Sequence, residues 1–221
     1  HPKADLFDKI FIWQGDYRII FGIIKHIEDR LNIEYDTLNV GVQVIILVED
    51  SIRFYSSYLP LIYSVVVKQA QSLISEGINL SHKFLRMRAR PKIILCSNYE
   101  EAWKFYKKYE DNILGIVSDI DFKKRGKQDS KAGIKFAKNV KKEHPDIPIL
   151  LQSNVPENEE QAYKIGASFL YKRSPTLLQE LKVVMRDQFS FGEFVFRMKD
   201  GREVGRAKNL KELQGKLGSV P

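Results

Sequence analysis

The chain has 221 residues and 25.7 kDa, 43 % of it hydrophobic and 29 % charged, with a single cysteine and a net charge of +8. That composition excludes a disordered or fibrous protein and leaves room for one domain with extensions or two small ones. No apolar run approaches the ~20 residues of a membrane helix, so no membrane is expected. Cys96 has no partner for an internal disulfide, which permits a reducing compartment, and a cytoplasmic location is expected. A surplus of positive charge suggests nucleic acid at first, but its distribution says otherwise. Residues 123–142 hold nine basic side chains against one acid, Asp129, and so equal the surplus of the whole chain. The surplus reads as local surface, and nucleic acid is disfavoured as a partner.

In chain order, Lys9–Trp13 reads as a short buried strand and Gln14-Gly15-Asp16 as a turn. From Tyr17 to Asn32, Ile19, Ile20, Ile23, Ile24, Ile27 and Leu31 fall at helical spacing. One strand and one helix cannot form a core, so residues 1–40 are expected to be an extension that packs on the rest or on another chain, or the end of a preceding domain of the kind that follows. From Val42 the pattern becomes regular. Apolar strands are expected at Val42–Val48, Lys92–Cys96, Ile113–Ser118, Ile147–Leu151 and Ser168–Tyr171. Helices are expected at roughly 52–75 (with Pro60 inside), 99–109, 132–142 and 159–165, and a last one opening at Ser174-Pro175. Glu76-Gly77 should stop the first of these, leaving a basic connector over 78–90. Five strand–helix units imply a parallel sheet covered on both faces, an α/β domain over 41–188. Beyond it, 189–221 read as a hairpin around Lys199-Asp200-Gly201 and a short helix from 210 to 217, a linker or the start of a following domain.

In such a sheet, ligands bind beyond the carboxyl ends of the strands. The strand ends here carry Glu49 and Asp50, Asp119, Ser153 and Lys172. Carboxylates brought together repel one another, and a hard divalent cation with oxygen ligands relieves this; Mg²⁺ suits the set. An Asp beside the cation is a suitable nucleophile for phosphorus, and Lys172 and Ser153 could balance and hydrogen-bond a phosphoryl group.

These residues in this order resemble the receiver domain of two-component response regulators. The resemblance spans roughly 42–188. It rests on Ile-Leu-Val-Glu-Asp-Ser at 46–51, Ser-Asn-Tyr-Glu-Glu-Ala at 97–102, Ser-Asp at 118–119, Pro-Asp-Ile-Pro-Ile-Leu at 145–150, Gly-Ala at 166–167 and Lys172. It implies a flavodoxin-like (βα)5 fold. It also implies Asp119 as phospho-acceptor and Mg²⁺ held by Glu49, Asp50, Asp119 and the backbone carbonyl of Asp121. Ser153 corresponds to the switch hydroxyl and Phe169 to the aromatic that turns inward on phosphorylation, changing a protein-interaction surface. The implied protein is not an enzyme beyond self-catalysed phosphorylation and dephosphorylation. Its partners would be a sensor histidine kinase or phosphotransfer protein and the neighbouring domains of a larger parent chain, with a homodimer left open.

The chain departs from that pattern in three places. Arg173 and Ser174 stand between Lys172 and the following proline, the segment between the first two strands is long, and the loop after Asp119 is expanded and basic. Two alternatives remain. One is a degenerate receiver acting only as an interaction module. The other is a haloacid-dehalogenase-type phosphatase, since Asp119-Ile-Asp121 also resembles that family's pair of nucleophile and general acid.

Overall fold

The computed structural model describes residues 9–75, 90–189, 194–198, 202–207, 212, 215 and 216. In chain order the elements are α1 (Arg18–Leu38), β1 (Val44–Val48), α2 (Ile52–Ser75), β2 (Lys92–Cys96), α3 (Tyr99–Lys108), β3 (Ile113–Asp119), β4 (Phe122–Lys124) and β5 (Lys127–Asp129). They continue with α4 (Ala132–Glu143), β6 (Ile149–Ser153), α5 (Asn158–Lys164), β7 (Ser168–Tyr171), α6 (Leu177–Asp187), β8 (Phe194–Arg197) and β9 (Glu203–Ala207). Five of the strands form one parallel sheet in the order β2-β1-β3-β6-β7. Counting only those five, the order is 2-1-3-4-5, that of flavodoxin-like folds.

The strands are apolar on both sides because both sides are covered. Val44, Ile46 and Val48 of β1 join Tyr106 of α3, Phe136 of α4 and Ala162 of α5 in one core layer. Ile45 and Leu47 join Tyr58, Leu59 and Ile62 of α2 and Leu181 and Met185 of α6 in the other. Successive strand residues point to opposite faces, so Glu49, next in line after Val48, falls on the α2 side.

The differences from the sequence reading are local. β6 lies two residues later than expected and includes Gln152 and Ser153. Pro148 carries no N–H for a ladder, and only its carbonyl is used, by the Ile116 amide. The last helix begins at Leu177, after a turn in which the Ser174 hydroxyl accepts the Thr176 amide. The basic loop after Asp119 contains a tight hairpin, β4–β5, closed by Arg125 and Gly126 at φ 52° and 75°. The connector expected over 78–90 lies outside the described residues except for Arg90, as do the 199–201 turn and most of the 210–217 helix.

The N-terminal extension differs most. Residues 9–13 form no ladder with any described strand. They lie across α2 instead, where the Tyr55 hydroxyl donates to the Ile10 carbonyl and the Ile12 amide donates to Ser56 Oγ. Helix α1 runs on to Leu38, and it buries Ile19, Gly22, His26, Asp29, Ile33 and Thr37. Ile20, Ile24, Ile27 and Leu31, which share the helical spacing, are 58, 57, 52 and 78 % exposed. Polar chemistry decides which face turns inward. The buried Asp29 carboxylate accepts from Arg90 at 2.7 Å, from the Tyr63 hydroxyl at 2.9 Å and from the Ile93 amide at 2.9 Å. An unpaired buried guanidinium would be far costlier than a few exposed methyl groups. Gly22 completes the contact: a Cβ there would come within 3.1 Å of Pro60, so the two helices touch backbone to ring.

Candidate functional site

The carboxyl ends of β1, β3, β6 and β7 meet at one edge of the sheet, and four of the five expected residues lie there deeply buried. Glu49, Asp119, Ser153 and Lys172 are all buried, and Asp50 is half-buried. Register explains the convergence. Val48 pairs with Ser118, so Glu49 and Asp119 extend side by side from adjacent parallel strands. Lys172 follows β7, and its own amide donates to the Ser153 carbonyl at 2.8 Å. This bond continues the β6–β7 ladder one residue past Tyr171. The ammonium is therefore aimed at the acids even though Arg173 and Ser174 precede the proline.

Lys172 Nζ lies 2.7 Å from Glu49 Oε2 and 2.6 Å from Asp119 Oδ2. It also sits 4.0 Å from the centre of the Phe54 ring, which shields it from solvent on the α2 side. The other Asp119 oxygen accepts the Ile120 amide at 2.7 Å, and the other Glu49 oxygen accepts the Ser51 amide at 3.1 Å. One ammonium thus serves two buried carboxylates. The imbalance is visible in Glu49, whose carboxyl is pushed up to about 8 by burial first and by Asp119 second, against the opposing pull of Lys172. Burial and Asp119 raise Asp50 as well. The Tyr58 hydroxyl, buried on the same side without a described partner, is raised by burial and by the same two acids.

Glu49, Asp50 and Asp119 each present a carboxylate oxygen within 4.8 Å of the others. Three hard oxygen donors with unneutralised charge are the donor set that a small divalent cation takes. These residues fit Mg²⁺. The Asp121 side chain is not part of this cluster. It is exposed, and its Oδ1 accepts from Gln128 Nε2 at 2.9 Å. Gln128, on the β4–β5 hairpin, also hydrogen-bonds Asp50, so it spans the Asp121 carboxylate and the edge of the cluster.

Ser153 Oγ accepts the Val155 amide at 3.0 Å and Asn158 Nδ2 at 2.9 Å, so it tethers the loop between β6 and α5. Phe169 is half-buried and packs on the core layer beneath α3, α4 and α5. A cleft of about 750 Å³ runs from the start of α2 to the loop before α6, lined by Arg53, Phe54, Tyr58, Lys172 and Arg173 among others. It gives Lys172 an approach from solvent rich in positive charge.

Two contributors escaped the sequence reading. A Cβ on Gly133 would stand 2.1 Å from the Asp119 carbonyl oxygen, so α4 begins flush against the backbone that carries Asp119. The Gly133 amide also donates to the Ile120 carbonyl at 3.0 Å. The signal available was a glycine in the first turn of an otherwise good helix. The other contributor is Gln128, one polar residue among many in the basic window, which carried no signal.

No protein-family model matches the sequence, and no curated protein does. Solved structures do match. The matching structures include response-regulator receiver domains. A phosphorylated cyanobacterial phytochrome response regulator, RcpA, is 16 % identical over 68 % of this chain and 96 % of its own, with a TM-score of 0.46. The CheX–CheY–BeF3–Mg complex from Borrelia burgdorferi gives 22 % identity over 68 % of this chain and 91 % of that one, with a TM-score of 0.42. A receiver domain from Clostridium thermocellum gives 16 %, 68 %, 96 % and 0.41 for the same measures. These are likenesses of chain path. The chemistry of the site rests on the residues described above.

Proposed function

We propose that the domain over 41–188 is a phospho-acceptor receiver. Asp119 takes a phosphoryl group with Mg²⁺ held by Glu49, Asp50, Asp119 and the Asp121 carbonyl. The observation that carries this reading is the single ammonium of Lys172 shared by Glu49 and Asp119, with Asp50 completing a three-carboxylate cluster at the strand ends. The bound cation would neutralise charge on the transferring phosphoryl oxygens. An Asp119 carboxylate oxygen attacks phosphorus, the acyl-phosphate bond forms, and the donor's bond to phosphorus breaks, its electron pair leaving with the donor. Lys172 follows the new charge from the carboxylate to a phosphoryl oxygen, and the Ser153 hydroxyl donates to another. In donating, Ser153 gives up its tether on Val155 and Asn158, and Phe169 turns into the space released. That biases the surface around β6, α5 and β7, the face offered to a partner. The donor expected is a sensor histidine kinase or a phosphotransfer protein.

The phosphatase alternative needs Asp121 to reach the substrate as general acid, and its exposed carboxylate, outside the three-carboxylate cluster and engaged by Gln128, weighs against that. The interaction-module alternative has no use for three clustered carboxylates and a buried ammonium, an arrangement costly to maintain without a function. The test is incubation with a small acyl phosphate and Mg²⁺, read by intact mass. The chain should gain one phosphoryl group, and Asp119→Asn should gain none. Steady release of phosphate from small esters, suppressed by Asp121→Asn, would favour the phosphatase. No adduct under any donor would leave the interaction module.

A further inference from the structure

Two departures in the N-terminal extension share one cause. The expected strand at 9–13 has no ladder, and the apolar residues of α1 are divided between a buried and an exposed face. Helix α1 is apolar on two sides: Ile19, Gly22, His26 and Ile33 are buried, while Tyr17, just before it, and Ile20, Ile24, Ile27, Leu31, Tyr35 and Leu38 form a stripe more than half exposed. A helix apolar all round belongs between two packed layers, and only one layer is present among the described residues.

The segment before α1 carries the same signature. Lys9 and Phe11 point inward, to Tyr55, while Ile10 and Ile12 are exposed, the alternation of a strand. Its backbone uses one edge, through the Ile10 carbonyl and the Ile12 amide on α2. The amides and carbonyls of Phe11 and Trp13, which belong to the opposite edge, have no hydrogen-bond partner among the described residues. An open strand edge next to an apolar helix face is what a parallel sheet requires of its last strand–helix unit. The outward apolar residues run unbroken at helical spacing from Tyr17 to Leu38, each more than half exposed, a continuous patch of the kind that marks an interface. A second copy's helix would cover the stripe but leave the edge at Phe11 and Trp13 open.

We propose that residues 9–38 are the terminal strand and helix of a second α/β domain of the same parent chain. That domain's parallel sheet pairs with the edge at Phe11 and Trp13 and packs on Ile20, Ile24, Ile27 and Leu31. Helix α1 is then shared. Its inner face is locked to the Asp119 domain by Asp29 and Arg90, so the two domains are held rigidly rather than strung on a linker.

The test compares the full reading frame of the gene with the 221-residue chain by amide hydrogen exchange. In the full chain, Phe11 and Trp13 should exchange at least a hundredfold more slowly. Ile24→Asp there should return them to fast exchange, while phosphoryl uptake at Asp119 stays unchanged. In the 221-residue chain the same substitution should leave the melting temperature unchanged. Three results would overturn the proposal: equal exchange in both chains, an upstream frame with no strand–helix units, or a 221-residue dimer that Ile24→Asp dissolves. Because uptake at Asp119 is scored separately, failure here and failure of the receiver reading are distinguishable.

Discussion

The Lys172 ammonium lies 2.6 Å from the Asp119 carboxylate, joining the end of β7 to the end of β3, with Glu49 at 2.7 Å on its other side. One buried cation between two buried carboxyl groups is poised: it stabilises the resting site, yet it is free to follow charge transferred to Asp119.

Removing that cation exposes the repulsion it restrains. Lys172→Met should lower unfolding stability by about 3–5 kcal/mol at neutral pH without Mg²⁺, the usual cost of stripping one partner from a buried ion pair. Mg²⁺ should recover part of the loss. Urea unfolding with and without the cation measures both effects. Equal curves for the variant and the parent would contradict the arrangement.

Mg²⁺ binding depends on the acids themselves. Glu49→Gln and Asp50→Asn should each weaken it about tenfold or more, or ~1.4 kcal/mol. Because burial and Asp119 raise the Glu49 carboxyl, cation uptake near neutral pH should release protons. Calorimetry in buffers of different ionisation heat reads both quantities, and buffer-independent heats would refute the proton release.

Gly133 fixes the backbone under the acceptor. Gly133→Ala forces a methyl to within 2.1 Å of the Asp119 carbonyl oxygen, so backbone must shift. Overpacking of this kind costs about 1–3 kcal/mol, and phosphoryl uptake should fall because Asp119 moves with its carbonyl. Denaturant melts and the rate of adduct formation report on the two effects. A stable variant with normal uptake would show that the contact is irrelevant.

His26 should add acid sensitivity, opposed by Glu49, whose raised carboxyl gains stability as the pH falls. Burial first, then the neighbouring charges of Arg30 and Lys9, lower His26 from 6.5 to about 4, and neither ring nitrogen has a described partner. Between those values the unfolded chain binds the proton more tightly than the folded one. Its contribution is therefore complete above pH 6.5 and is lost as the pH falls towards 4. At ~1.4 kcal/mol per unit, the loss is about 3 kcal/mol. His26→Leu should remove that loss in urea melts taken from pH 7 to pH 4.

The sheet was legible because buried parallel strands announce themselves as unbroken apolar runs, and because each ended on a polar residue. Glu49, Asp50, Asp119, Ser153 and Lys172 could be placed at one edge on that ground alone. Residues whose role is steric or relational could not. Gly133 matters only because α4 starts against Asp119, and Gln128 matters only because a hairpin brings it to Asp50 and Asp121. The extension was only half legible for a physical reason: α1 offers two apolar faces, and periodicity could not tell which would pack on this domain. Asp29 made the choice, through Arg90, a residue 61 positions away.

The central claim is that Asp119 itself carries the phosphoryl group, and borohydride trapping tests it most directly. After treatment with an acyl phosphate and Mg²⁺, reduction of an aspartyl phosphate leaves homoserine in its place. Peptide mass analysis should find homoserine at position 119 and nowhere else. Phosphate retained on a serine or histidine, or no homoserine at 119 after phosphoryl uptake, would contradict the account.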